Sequence, residues 1–154
     1  MMEQIKSILK AVAIPLSVGI LSGFLTKDAM EMFETMTQPP LSPPGWIFPV
    51  VWTILYTLMG LSSWLIYKSG GEGKEEALSL YFYQLVVNFL WPIFFFSFGW
   101  YFVSLLWLLL LWFLVIKMIL SFYKISPVAA YLNIPYLIWL TFAAYLNAGV
   151  WLLN

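Results

Sequence analysis

The sequence predicts an all-α integral membrane protein, a single bundle of five transmembrane helices filling residues 1–154. Two observations carry that prediction. Hydrophobic residues make up 63% of the chain and charged residues only 9%, against about 25% charged in a soluble domain. The apolar residues also fall into five stretches near the roughly 20 residues that cross a bilayer, at about 5–25, 46–67, 77–98, 99–120 and 126–153. Nothing is left over for a soluble domain.

The first stretch is the weakest, because Lys6 and Lys10 shorten it and Pro15 interrupts it. Both lysines can snorkel to the interface. A basic start and an apolar run also describe a signal peptide. However, Thr26-Lys27-Asp28-Ala29 is a poor small-residue cleavage site, so the segment is expected to stay as the first helix. Pro15, Gly19, Ser22 and Thr26 share one face at three- and four-residue spacing. Gly19 and Gly23 form a GxxxG pair, and Gly19 on the inward stripe points to close packing within the monomer.

Residues 27–45 form a loop longer than usual helix connections, so it reads as a plain connector or as a lid. Asp28–Thr37 is a candidate amphipathic turn with Met30, Met32, Phe33 and Met36. Pro39, Pro40, Pro43, Pro44 and Gly45 then impose a stiff extended run. The second span carries an inward stripe of Trp52, Tyr56, Gly60 and Ser63. A solvated turn at 68–76 leads to the third, whose stripe is Gln84, Asn88, Trp91 and Phe95. A tight hairpin at Phe98-Gly99-Trp100 joins the fourth span, where Leu105–Ile116 is almost uniformly apolar. With no polar stripe, that helix is expected at the lipid-facing edge, contributing least to any pocket. After a loop at Lys117–Ser126, the fifth span carries Tyr136, Trp139, Ala143 and Asn147. Pro49, Pro92 and Pro135 lie within spans, where they free backbone carbonyls and bend helices.

Five spans place the N-terminus and the loops at 68–76 and 117–126 on one side. That side holds Lys6, Lys10, Lys68, Lys74, Lys117 and Lys124, with only Lys27 opposite. The bias predicts a cytoplasmic N-terminus, with the C-terminus and the 27–45 loop outside.

The residue inventory excludes several function classes. The chain has no Cys and no His, which leaves no disulfide framework and no usual metal ligand or general base. Every acidic residue (Glu3, Asp28, Glu31, Glu34, Glu72, Glu75 and Glu76) lies outside the spans. Ion-coupled pumping and an acidic cation pore therefore have no support. No metal site, bound cofactor or hydrolytic constellation is expected, and no basic face exists for nucleic acid. The four stripes fit an aromatic pocket for a planar apolar ligand, with Trp52 and Trp139 as a clamp and Asn88 and Asn147 orienting it. They fit polar links between helices equally well, and spacing alone does not separate the two. Trp46, Trp64, Trp100 and Trp151 sit at span ends as interface belts, whereas Trp52, Trp91 and Trp139 lie deeper.

The run from Pro39-Pro40-Leu41-Ser42-Pro43-Pro44-Gly45-Trp46 through Trp52, Tyr56 and Gly60 closely resembles the signature of the TspO/MBR family, the tryptophan-rich sensory and translocator proteins. The resemblance continues through Gln84, Asn88 and Trp91, through Pro135-Tyr136 and Trp139, and through Phe142-Ala143, Leu146-Asn147 and Asn154. It covers nearly the whole chain apart from the turn at Lys68 and the fourth helix. It implies an outer loop, with Pro39, Pro40, Pro43, Pro44 and Gly45, that lids a pocket for porphyrins, sterol-like lipids and synthetic aromatic ligands. Pocket residues implied are Trp52, Tyr56, Asn88, Phe94, Trp139 and Ala143, to which the stripes add Ser22, Trp91, Phe95 and Asn147. The resemblance also implies a homodimer with the third helix at the contact, and light-dependent breakdown of protoporphyrin through Trp52 and Trp139. Two departures stand out: no basic residue follows Tyr145, where the mitochondrial proteins carry a sterol motif, and Pro92 replaces a serine. The expected function is a binding, carrier or sensory protein for porphyrins. Light-dependent degradation and structural modulation of another membrane protein are the alternatives. A free-base porphyrin is expected over haem, because no His or Cys offers an axial ligand. Its partners would be that ligand, membrane lipid and a second copy, in the plasma membrane of a bacterium.

Overall fold

A computed structural model describes residues Met1–Asn154. The five long helices are α1 (Met2–Leu25), α3 (Ile47–Ser69), α4 (Lys74–Pro92), α5 (Tyr101–Ile125) and α7 (Ile134–Leu153), with short α2 (Ala29–Thr35) and α6 (Pro127–Tyr131) between them. Five spans are long and apolar enough to cross a membrane, the last formed by α6 and α7 together. Around the bundle α1 packs on α3, α4 on α5, and α5 on α7, while α3 meets α4 and α6.

Local chemistry sets the boundaries. Gly70 closes α3 in the left-handed conformation, with φ 65°. Pro92 ends the regular part of α4, and Ile93–Ser97 continue as a π-helical turn. The widened turn is closed by the Phe98 amide donating to the Ile93 carbonyl at 3.1 Å. Gly99, with φ 67°, then reverses the chain into α5.

Three expectations are corrected. The fourth span runs to Ile125, so Lys117 lies inside a helix and only Ser126 separates α5 from α6. Ser126 caps α6, its hydroxyl accepting from the Ala129 amide at 3.3 Å, with Pro127 opening the helix. The fifth span is broken at Leu132–Asn133. There the buried Asn133 amide donates to Ser62 Oγ at 2.6 Å and to the Ala129 carbonyl at 3.1 Å. Pro135 sits in the first turn of α7, where its missing N–H costs nothing. Finally, α5 is an outward edge on one side only, where Phe102, Leu106, Leu109 and Phe113 are exposed, and of the five spans it gives the bundle's cavity the fewest lining residues, as expected. It packs against both α4 and α7 through a buried stripe of Ser104, Leu108, Leu111, Val115, Met118 and Phe122. The least buried span is α1, of which only Pro15 and Ser22 are fully buried. Leucine suits lipid and core alike, so a uniformly apolar helix hides its inward face in sequence.

Indole N–H groups join neighbouring helices. Trp64 donates to Ser7 Oγ at 3.1 Å, Trp107 to the Val87 carbonyl at 2.8 Å and Trp112 to Thr141 Oγ1 at 2.9 Å. Backbones approach closely at Gly60, where a Cβ would fall 2.5 Å from Val12 Cα. That contact locks α1 to α3 in the half of the bundle remote from α2.

Candidate functional site

A cavity of about 440 Å³ occupies the α2 end of the bundle, within the 300–1,000 Å³ usual for ligand sites. Its α1 wall is small, from Gly19, Ser22, Gly23 and Thr26, with Leu16 and Ile20 alongside. Phe48, Trp52 and Tyr56 of α3 face it, with Asn88, Trp91, Phe95 and Phe96 from the third span. Trp139, Ala143, Leu146 and Asn147 of α7 complete the ring, while Leu108 and Leu111 of α5 form part of the floor. Among the lining residues Ile20, Gly23, Pro49 and Thr53 are themselves exposed. They mark an opening on the side of the bundle, between the α2-side halves of α1 and α3.

The expected pocket residues Ser22, Trp52, Tyr56, Asn88, Trp91, Phe95, Trp139, Ala143 and Asn147 therefore share one cavity. Phe94 does not join them. Its ring stacks on Trp100 at 6.1 Å and meets Trp107 edge-on at 5.2 Å, on the α5 side of the third span. Phe96, in the π turn, lines the cavity beside Phe95. Leu108, Leu111, Phe33 and Phe48 were not expected there. The Ser104, Leu108, Leu111 spacing was the available signal for α5.

The asparagine and tyrosine side chains at the site are tied into two hydrogen-bonded networks. Tyr56 Oη donates to Asn88 Oδ1 at 2.7 Å, Asn88 Nδ2 to Tyr136 Oη at 2.7 Å, and Tyr136 Oη to Gln84 Oε1 at 2.7 Å. Asn147 Oδ1 accepts from Trp91 Nε1 at 3.0 Å and Ser104 Oγ at 3.1 Å, while its Nδ2 donates to the Tyr101 carbonyl at 2.8 Å. Both asparagine amides are thus engaged in linking helices. The reading as polar links between helices holds for both asparagines, and aromatic faces line the cavity they frame. Trp52 lies 5.4 Å from the Tyr56 ring and 6.1 Å from that of Tyr136. The Trp139 indole N–H is buried and has no acceptor in the protein. Lys27, at the α2 end, is the one charged residue on the lining.

The 27–45 segment covers this end. Buried Phe33 of α2 meets Phe48 edge-on at 5.0 Å, and Phe48 meets Trp139 at 5.8 Å. The proline run is fastened to α7: Tyr145 Oη donates to the Pro40 carbonyl, and the Pro39 ring sits where a Gly149 side chain would be. Asn154 Oδ1 accepts from the Thr37 amide at 3.1 Å, and its Nδ2 donates to the Thr37 carbonyl at 2.8 Å. Leu41, with φ 69° and its side chain exposed, forms the turn of the lid, and Ser42 Oγ closes it on the Pro39 carbonyl at 2.7 Å.

Comparison with known proteins agrees with this architecture. The model of the TspO/MBR family matches residues 11–152. The chain is 34% identical to the tryptophan-rich protein TspO of Chlorobaculum tepidum, over 100% of this chain and 99% of that protein. It is 37% identical to the translocator protein of Homo sapiens, over 84% of this chain and 79% of that one. Identity to the tryptophan-rich sensory protein of Cereibacter sphaeroides is 35%, over 80% of this chain and 77% of that one.

Proposed function

The chain belongs to the TspO/MBR family and is an integral membrane protein, and from that premise we propose that its lidded cavity binds a porphyrin or a similar planar hydrophobic ligand. The protein acts as a binding, carrier or sensory component of the membrane, as the names of its relatives suggest. One observation carries the reading: Trp52 and Trp139 both line a single cavity whose asparagine amides are already engaged by neighbouring helices, Asn88 by Tyr56 and Tyr136 and Asn147 by Trp91 and Ser104. What the cavity offers a ligand is aromatic face, with one cation at the rim. A flat tetrapyrrole with peripheral carboxylates matches that offer, its ring against indole and a carboxylate toward Lys27. The side opening between α1 and α3 suits a ligand that arrives dissolved in lipid.

The lysine distribution supports placing the lid outside and the N-terminus in the cytoplasm, in a plasma membrane if the cell is bacterial. A second copy is proposed against α4, where Phe82, Tyr83 and Val86 are exposed; cross-linking through cysteines introduced at those positions in membranes tests it.

The deciding experiment is a dark titration of reconstituted protein with protoporphyrin IX, following the porphyrin absorption. Saturable one-to-one binding weakened by Trp139→Ala supports the assignment. Absence of a saturable shift overturns it. Darkness separates binding from light-dependent loss of porphyrin, the alternative activity, which repeating the titration under illumination would reveal as a defined tetrapyrrole product.

A further inference from the structure

A second groove lies at the opposite end of the bundle, between the start of α4 and the end of α5. Lys117, Ser121 and Lys124 of α5 form one side, Glu72 and Glu76 the other, and Leu80, Leu120 and Ile125 contribute apolar surface. Its volume is about 290 Å³. Lys117 and Lys124 are seven residues apart on one helix, so both point from the same face two turns apart. Ile125 lies beside Gly71, where an added Cβ would come 3.4 Å from Ile125 Cγ2, which fixes the rim of the groove. Lys117 is then about 12 Å inside the helix end, at 1.5 Å per residue. It is exposed at that depth, level with the apolar Leu80.

These charges have no partners within the protein. The structure contains a single ion pair, Lys6 with Glu3. Lys68 lies 4.9 Å over the Trp64 ring, and Lys74 lies 5.2 Å over Tyr67. Lys117 and Lys124 have neither kind of contact, and Glu72 and Glu76 stay unpaired across the groove. A lysine exposed inside a span is costly unless it reaches an anion at the interface. Lys124, Glu72 and Glu76 meet water at the rim, whereas Lys117, as deep in α5 as Lys10 is in α1, reaches only as far as the headgroup layer by snorkelling.

We propose that this groove is a binding site for a phospholipid headgroup carrying a phosphate diester and a primary ammonium, that is, a phosphatidylethanolamine. Lys117 and Lys124 hold the phosphate, with the Ser121 hydroxyl between them as a further donor. Glu72 and Glu76 receive the ammonium. Charge complementarity selects this headgroup. The groove holds two cations and two anions, so an anionic headgroup without an amine leaves both glutamates facing no cation. A choline headgroup brings a cation that cannot donate a hydrogen bond. The acyl chains then run along Leu80 and Leu120. The site is separate from the lidded cavity and independent of what that cavity binds.

The test is native mass spectrometry of protein released from vesicles of equimolar phosphatidylethanolamine, phosphatidylglycerol and phosphatidylcholine. Wild-type protein should retain phosphatidylethanolamine above its share of the bilayer. Lys117→Gln with Lys124→Gln should lower that retention by about fivefold per lysine, the usual worth of a basic side chain at a lipid surface. Glu72→Gln with Glu76→Gln should move the preference to phosphatidylglycerol, and these exposed positions leave packing intact. Adducts that mirror the bulk lipid in the wild type would overturn the proposal. So would an unchanged preference in the lysine variant, or a wild-type preference for phosphatidylglycerol.

Discussion

The Tyr56 ring lies so close to Gly19 that a Cβ on that glycine would fall 2.5 Å from Tyr56 Cε2. The contact bears on the cavity as well as on helix packing, because Tyr56 lines the cavity and its hydroxyl holds Asn88. Glycine on α1 therefore sets where an α3 aromatic stands. Gly19→Ala should push Tyr56 off its bond to Asn88 or into the cavity, destabilising the fold by about 1–3 kcal/mol as overpacking does and weakening porphyrin binding. Gly23→Ala is the matched control, since a Cβ there meets nothing within 4 Å. Thermal unfolding and dark titration of both variants check the pair. Equal behaviour of the two would remove Tyr56 from the argument.

Asn88 and Trp139 should separate stability from binding. Asn88→Ala leaves the buried Tyr56 hydroxyl without its acceptor and Tyr136 without its donor. An orphaned buried polar group costs about 1–3 kcal/mol, so the unfolding temperature should fall clearly. Trp139→Phe removes an N–H that has no acceptor in the protein, which leaves the fold stable while ligand affinity drops. The reverse pattern, a stable Asn88 variant and an unfolded Trp139 variant, would mean that the amides face the ligand after all.

These two residues also show how far the sequence was legible. The stripe spacing turned Trp52, Asn88, Trp91, Trp139 and Asn147 toward one another without deciding between a cavity and polar packing, because helical periodicity and membrane cost act on each helix separately. What Asn88 does with its amide depends on Tyr136, forty-eight residues away, and no local pattern encodes that. Phe94 came from the family resemblance and not from spacing, and it packs on Trp100 and Trp107 instead, while Phe95 of the stripe does line the cavity. The role of α5 was hidden for a different reason: Leu108 and Leu111 look like any lipid-facing leucine until α4 and α7 are placed beside them. The lid itself was marked by its prolines, but its fastening to Tyr145, Gly149 and Asn154 required the end of α7 to be located.

Lys27 is the only charged side chain on the cavity wall and makes no ion pair. Lys27→Gln should weaken binding of a dicarboxylic porphyrin several-fold and leave its dimethyl ester unaffected. Because Lys27 is exposed, added salt should shrink the difference between wild type and variant. Titration of both ligands at low and high ionic strength reads the effect. An ester that discriminates between the two proteins as strongly as the free acid would exclude a carboxylate contact.

The fastening of the lid to α7 makes a kinetic prediction that also decides how ligands enter. Asn154 grips Thr37 through two hydrogen bonds, and Tyr145 holds the Pro40 carbonyl. Each bond is worth about 1 kcal/mol net, so Asn154→Ala with Tyr145→Phe should raise the population of an open lid by roughly tenfold or more. Phe33 and Met30 of α2 line the cavity, so opening removes contacts and the dissociation rate should rise in step. The association rate distinguishes two routes. If the ligand passes under the lid, association accelerates along with dissociation, and the equilibrium constant changes little. If it passes between α1 and α3, where Gly23 and Thr53 border the cavity, association stays at the wild-type rate and only residence time shortens. Stopped-flow porphyrin absorption in the dark measures both rates. Rates unchanged in both directions would show that the lid neither gates the cavity nor holds its ligand.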